Sequence, residues 1–308
     1  MFYILNVGPT ETVVVGLKRH KKEVVVADVF SVTAGYSNFI NNTVPAQLMQ
    51  SIPDFTSNKY IVVCDAIYKC DAATVDEKMS SSREDLEQLK IINICENLLP
   101  AGLKKDEYWG TIMRSFPKTE RQDFVSTAYF KKELFAAFKE YFAGYKTEIF
   151  AIYPEALVFA ELLAANNYSE YILELSEGKY VYSAPQGIVV WQNEAYLKED
   201  AVSFLYDFAN ELFERQPGAQ IPPILSANKL DIVCLADLSG RYIPNSEKYK
   251  KEIYAALGAC AAWSGKPHGR KPAPAGEASS GNGVNHQEKG GKYSGLEAIW
   301  EFFTKARR

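Results

Sequence analysis

The sequence predicts an α/β protein with a duplicated fold of mixed sheets, a small inserted αβ unit in its first half and a shortened second half. Three observations predict it. Two three-stranded meanders of alternating apolar residues recur about 170 residues apart, each opening one half of the chain. A strand–helix–strand–helix passage lies between them. Only about 60 residues then separate Trp191, at the end of the second meander, from Tyr254 in the last core helix.

The first meander is residues 2–7, 12–18 and 23–31, turned at Gly8-Pro9-Thr10-Glu11 and at the charged run Lys18-Arg19-His20-Lys21-Lys22, which reads as a solvated hairpin tip. A short helix over 44–53 ends at Pro53, and a strand follows at 59–66. Ser80, Ser81 and Ser82 precede a helical stretch with Leu86, Leu89, Ile92 and Ile94 as core positions. Asp123–Phe130 reads as a strand and Lys131–Phe142 as a helix whose Leu134, Phe135, Phe138, Tyr141 and Phe142 share one face. Gly144 stands where a helix C-terminal glycine belongs. Strand Thr147–Tyr153 leads to Pro154, placed to begin the helix Glu155–Ala165.

The second meander is Tyr171–Leu175, Lys179–Ala184 and Gly187–Gln192. A helix over about Tyr196–Glu214 presents Phe204, Leu205, Phe208, Leu212 and Phe213 as its apolar face; a strand is expected at Leu230–Leu235 and an alanine-rich helix at about Ser246–Trp263. From Ser264 to Lys292 there is no Leu, Ile, Phe, Tyr or Trp, so this segment reads as a disordered linker. Beyond it, Ser294-Gly295-Leu296-Glu297 matches a capping box, and Leu296, Ile299, Trp300 and Phe303 share one helical face. So short a helix is marginal alone and needs a surface to lie on. The expected organisation is 1–168 as the first half with an insertion at about 32–150, 169–263 as the second half, 264–292 as linker and 293–308 as amphipathic helix.

Composition excludes several functions. The net charge of -4 gives no basis for nucleic-acid binding. From Ser264 onward eight Lys/Arg face four Asp/Glu, so the tail is about +4 and the rest of the chain about -8. No window holds 18 uninterrupted apolar residues, and the start lacks the pattern of a signal peptide. Five cysteines without a CxxC pair point to reduced thiols in the cytosol. The three histidines, His20, His268 and His286, lie in a charged turn and in the tail, which removes triad hydrolases and Cys/His zinc sites.

The doubled meander with its insertion resembles the actin-like (RNase H-like) ATPase superfamily, and within it the PilM family of type IV pilus assembly proteins, with FtsA and the GspL cytoplasmic domain. The stretches that carry the resemblance are Phe124-Val125-Ser126-Thr127-Ala128-Tyr129-Phe130-Lys131-Lys132-Glu133-Leu134, similar to the strand and helix of the inserted subdomain, and Ala151–Ala160, similar to the connecting helix. The likeness covers residues 1 to about 263. It implies nucleotide loops in the first turn of each meander, here Asn6, Gly8 and Thr10, and Glu174, Ser176 and Gly178. Phosphate binding there needs glycine amides and a magnesium-organising aspartate. Asparagine stands at the expected carboxylate, Pro9 lacks an N–H, and serine with Glu177 beside it replaces glycine in the second loop. The Gly-Gly turn near the adenosine is missing between Trp191 and Tyr254. The loops therefore read as vestigial, with no cofactor or only weakly bound ATP or ADP with magnesium, and with no catalytic or metal residue assigned.

The function implied is a cytoplasmic scaffold at the inner face of the cytoplasmic membrane, in a type IV pilus or secretion-like assembly. It would bind the cytoplasmic tail of a PilN-like membrane partner without ATP turnover. The alternative is an FtsA-like membrane-tethered, polymerising or recruiting protein. In that reading Leu296, Ile299, Trp300 and Phe303 dock on a partner or a membrane while Lys305, Arg307 and Arg308 meet anionic headgroups. A third is an active ATPase or phosphotransferase, for which Asp65, Asp71 and Asp76 are the available carboxylates.

Overall fold

Every residue of the first strand except Asn6 is buried, because apolar side chains point to both faces and each face is covered by helices. The computed structural model describes residues 1–20, 23–64, 67–76, 84–192, 198–213, 222–230 and 247–264. In chain order, the first half holds β1 (Phe2–Val7), β2 (Thr12–His20), β3 (Glu23–Val32), α1 (Tyr36–Ile40), α2 (Gln47–Gln50), β4 (Lys59–Cys64), β5 (Ile67–Val75), α3 (Glu84–Asn97), β6 (Tyr108–Pro117), β7 (Asp123–Lys131), α4 (Lys132–Gly144), β8 (Ile149–Pro154) and α5 (Glu155–Ala165). The second half holds β9 (Tyr171–Ser176), β10 (Lys179–Ala184), β11 (Gly187–Gln192), α6 (Lys198–Leu212), β12 (Ile224–Ser226) and α7 (Lys250–Ser264).

The duplication is visible in strand order. The first sheet runs β3-β2-β1-β4-β8 and the second β11-β10-β9-β12. In each, a three-stranded antiparallel meander is extended by a strand parallel to its first member, β4 beside β1 and β12 beside β9. Helices α5 and α7 lie between the sheets. Val158, Phe159 and Leu162 of α5 and Ala255, Ala256 and Ala259 of α7 share one core with Ile4, Val15 and Ile61 on one side and Tyr171 and Leu173 on the other. The small residues of α7 allow a close crossing: a Cβ on Gly258 would run into the Val158 carbonyl.

The remaining strands form a separate sheet, β5-β7-β6, with α3 beside it, falling between β4 and β8. Arg114 of β6 fastens it. Its guanidinium donates to Ala184 O at 2.9 Å, Ser183 Oγ at 3.2 Å and Glu161 Oε1 at 3.2 Å, so the insertion is tied to β10 and α5 together. Ile188 N donates to the buried Ser126 Oγ at 2.6 Å, a second tie between β7 and β11. Arg114→Met is expected to cost about 2 kcal/mol, because it removes hydrogen bonds from a charged, mostly buried donor. A lower urea midpoint, with cleavage appearing first within 67–131, is the measurement.

Several local expectations are corrected. Strands β5, β6 and β12 were not legible, since Lys69, Asp71, Gly110 and Arg114 break their alternation and β12 has three residues. The helix at 44–53 shrinks to α2. Gly144 is the last residue of α4, and Lys146, at φ 56°, takes the left-handed position instead. Thr147 N then donates to Phe142 O at 3.2 Å and Lys146 N to Ala143 O at 2.9 Å, a Schellman closure in which tertiary context overrides glycine's preference. Ile92 is exposed on α3 while Ile94 is buried. The linker 264–292, the helix at 293–308 with Leu296, Ile299, Trp300 and Phe303, and residues 231–235 of the expected strand lie outside the described residues, apart from Ser264.

Candidate functional site

The first hairpin turn folds onto itself. Gly8 N donates to Glu11 O at 2.9 Å, so its amide is used within the turn, and Pro9 has none. The chain leaving β3 packs on the turn from outside. Thr12 Oγ1 donates to Ala34 O at 2.6 Å, and a Cβ on Gly35 would meet the Pro9 carbonyl and come within 2.6 Å of Thr10 N. Thr10 itself is exposed. Asn6 points away from solvent: its Nδ2 donates to Val13 O at 3.4 Å and to Glu252 O at 3.3 Å, and its buried Oδ1 has no hydrogen-bond partner.

The second turn is a two-residue connection, Glu177-Gly178, with Gly178 at φ 71°. That angle is why glycine stands there. Ser176 and Glu177 are exposed, Glu174 is half-buried, and Gly178 is buried. Lys179, directly after the turn, is turned inward and nearly buried.

The first turn of α7 reaches both hairpins. Asn6 binds the backbone of Glu252, while Lys251 Nζ lies 2.7 Å from Glu155 Oε1. Glu155 Oε2 is in turn 3.5 Å from Lys179 Nζ. The result is a Lys179–Glu155–Lys251 triad, its first two members buried and Lys251 half-buried, joining β10, α5 and α7. Glu155 opens α5, where the helix dipole favours a carboxylate. Close by, Tyr249 OH lies 2.8 Å from Ser31 Oγ and 3.5 Å from Glu11 Oε1 and accepts from Lys248. Burial, followed by the nearby carboxylates Glu155 and Glu11, holds the Glu252 carboxyl above its ordinary 4.5, against its own backbone N–H and Lys251.

A carboxyl raised in the folded state favours folding while it is protonated, and that advantage fades as pH rises through the folded value. Glu252→Gln is therefore expected to stabilise the chain at pH 7, the gain vanishing as pH falls below about 4.5. Paired urea titrations at pH 7 and pH 4 check this.

Two features of this region are unlike a phosphate cradle: in the first turn Gly8 N is used within the turn and Pro9 has no N–H, and among the nearby carboxylates Glu155 already holds two lysines. Of the carboxylates considered from sequence, Asp76 directly follows β5 and accepts from Gln122 Nε2 at 2.5 Å, Asp71 lies within β5, and Asp65 is outside the described residues. A cavity of about 590 Å³ lined by Asp76, Thr119, Glu120, Arg121 and Gln122 sits at the β6–β7 hairpin tip and includes no residue of either turn. Cys64, Cys95 and Cys260 are buried thiols in no disulfide, and burial pushes Cys95 up to about 12, so it stays protonated at neutral pH. Among the described residues, no helix is long and apolar enough to cross a membrane.

Sequence reasoning passed over Glu155, Lys179 and Lys251. The only local signal was a carboxylate directly after a strand-ending proline, which reads equally well as a helix start.

A different surface lies where the insertion meets α4. Trp109 of β6 is 42% exposed, its ring 5.6 Å from Phe135 of α4 and 6.1 Å from Phe130 of β7, and Lys139 Nζ stands 4.6 Å above the Phe135 ring. An exposed tryptophan backed by two further rings is the kind of anchor that interfaces use.

No protein-family model and no curated protein matches this chain. Among solved structures, it is similar to one in the PilM-PilN type IV pilus biogenesis complex, at 13% identity and a TM-score of 0.52, covering 82% of this chain and 96% of that one. It is also similar to the cytoplasmic domain of EpsL, an inner membrane component of the type II secretion system of Vibrio cholerae, at 14% identity and a TM-score of 0.44, covering 83% and 94%. The chain thus has the actin-like α/β fold that it shares with the PilM-PilN structure, and at this identity what is shared is the fold alone.

Proposed function

We propose that this chain is an actin-like scaffold on the cytoplasmic side of an inner-membrane type IV pilus or secretion-like assembly. It grips a cytoplasmic segment of a PilN-like membrane partner and does not turn over ATP. The observation that carries the reading is the exposed Trp109, seated on Phe130 and Phe135 at the seam between the insertion and α4. It is supported by the first hairpin turn, where Gly8 N is engaged and Pro9 has no N–H, by Glu155, which already holds two lysines, and by the likeness in fold to a protein solved in complex with PilN. Asn6, Gly8, Thr10, Glu174, Ser176 and Gly178 are then remnants that shape two turns.

The test uses fluorescence anisotropy with labelled peptides from the cytoplasmic tails of inner-membrane assembly proteins. Binding is expected for one of them, and Trp109→Ala should weaken it at least about tenfold, the loss of one anchoring aromatic, with an unchanged circular dichroism spectrum. Calorimetry with magnesium ATP on the same protein should give no saturable heat. Binding that ignores Trp109, no peptide bound at all, or tight magnesium-dependent ATP binding each defeats the proposal.

A further inference from the structure

Helix α6 was expected to bury Phe204 on its apolar face, and it does not. Phe204 is 52% exposed, the most exposed large hydrophobic side chain among the described residues. It stacks on Phe208 at 6.1 Å with a 12° interplanar angle and lies 6.0 Å from the Trp191 ring of β11. Asp200, Phe204, Asp207 and Glu211 are all exposed and recur at helical spacing, so one outward stripe is an aromatic step rimmed by carboxylates. Past Lys198, α6 carries four acids and no base, and its last turn lacks a basic residue. The negative end of the helix dipole is thus uncompensated by the helix itself, and a cation from elsewhere would be favoured there.

The same sequence contains a segment of matching chemistry. Leu296, Ile299, Trp300 and Phe303 recur at helical spacing, and Lys305, Arg307 and Arg308 follow them. The tail is about +4 and the remainder of the chain about -8. We propose that residues 293–308 dock on the outward stripe of α6 in their own chain, with Trp300 and Phe303 against Phe204, Phe208 and Trp191, and the terminal bases at Asp207 and Glu211. Reach is not an obstacle. A Gly/Pro/Ser-rich stretch as long as that between Ser264 and Tyr293 spans roughly 30 Å, against a radius of gyration of about 18 Å for a body of this size. A tethered segment also acts at an effective concentration near millimolar, so a weak contact forms within one chain before it forms between two at micromolar concentration. The docking site is separate from the Trp109 seam, and the inference stands without the peptide-binding proposal.

The full-length chain is tested with Phe204→p-benzoylphenylalanine and mass spectrometry after irradiation. An adduct joining position 204 to residues 293–308 of the same chain is expected. Its yield should fall about fivefold in an Asp207→Lys, Glu211→Lys background, the effect of losing two exposed ion pairs, and should also fall with Trp300→Ala. Adducts confined to other segments, an adduct joining two chains, or a tail adduct that ignores both sets of substitutions overturns the proposal. So does the absence of an adduct together with sedimentation on phosphatidylglycerol vesicles that depends on residues 293–308, which would make the tail a membrane contact.

Discussion

Gly258→Val is expected to destabilise the chain by about 3–4 kcal/mol, the upper end of what overpacking a core costs. The reason is local and severe. Helices α5 and α7 cross in the layer between the two sheets, and a Cβ at 258 would overlap the Val158 carbonyl and lie 2.6 Å from its carbon and 3.3 Å from Leu162 Cβ. The obstacle is backbone, which cannot rotate away, so the helices must separate. Separation opens the core shared by Val158, Phe159, Ala255 and Ala259. Gly258→Ala should do the same to a smaller degree. Gly144→Ala is the contrast: nothing lies within 4 Å of its would-be Cβ, and it sits in the last turn of α4. There alanine should stabilise by up to about 1 kcal/mol through helix propensity. Urea midpoints for the three variants decide it, and a neutral Gly258→Val would mean the crossing is looser than described.

Glu155→Leu is expected to cost about 3 kcal/mol, because it takes one carboxylate from two lysines in a buried site. Lys179→Met should cost less, since Glu155 keeps Lys251 at 2.7 Å. The double variant Glu155→Leu, Lys179→Met should recover much of the single loss, because well-packed apolar side chains often replace a buried ion pair at little cost. The three unfolding free energies form a cycle. Additive losses would show that the 3.5 Å contact between Lys179 and Glu155 carries no coupling.

The strands were legible where the physics is local. Residues 2–7, 12–18 and 179–184 alternate or run apolar without interruption, and they fold as β1, β2 and β10 close to the expected bounds. Helices α4 and α5 were legible from their apolar faces and from Pro154, which has no N–H to donate, ends β8 and stands at the N-cap of α5. Phe204 and Ile92 failed because periodicity names a face without saying how much of it a neighbour covers. The candidate site was half legible. Sequence located the turns at 6–10 and 174–178, yet gave no hint that Lys179 and Lys251 meet at Glu155.

By itself the sequence determined the repeated meanders and the helices α4 and α5 between them, because each follows from residue type and spacing along a few consecutive positions. Only the tertiary structure decided which charges pair, that Arg114 ties the insertion to the second half, and which aromatic rings stay outside. Those outcomes depend on elements distant in sequence arriving at one place, and such encounters leave no periodic trace in the chain.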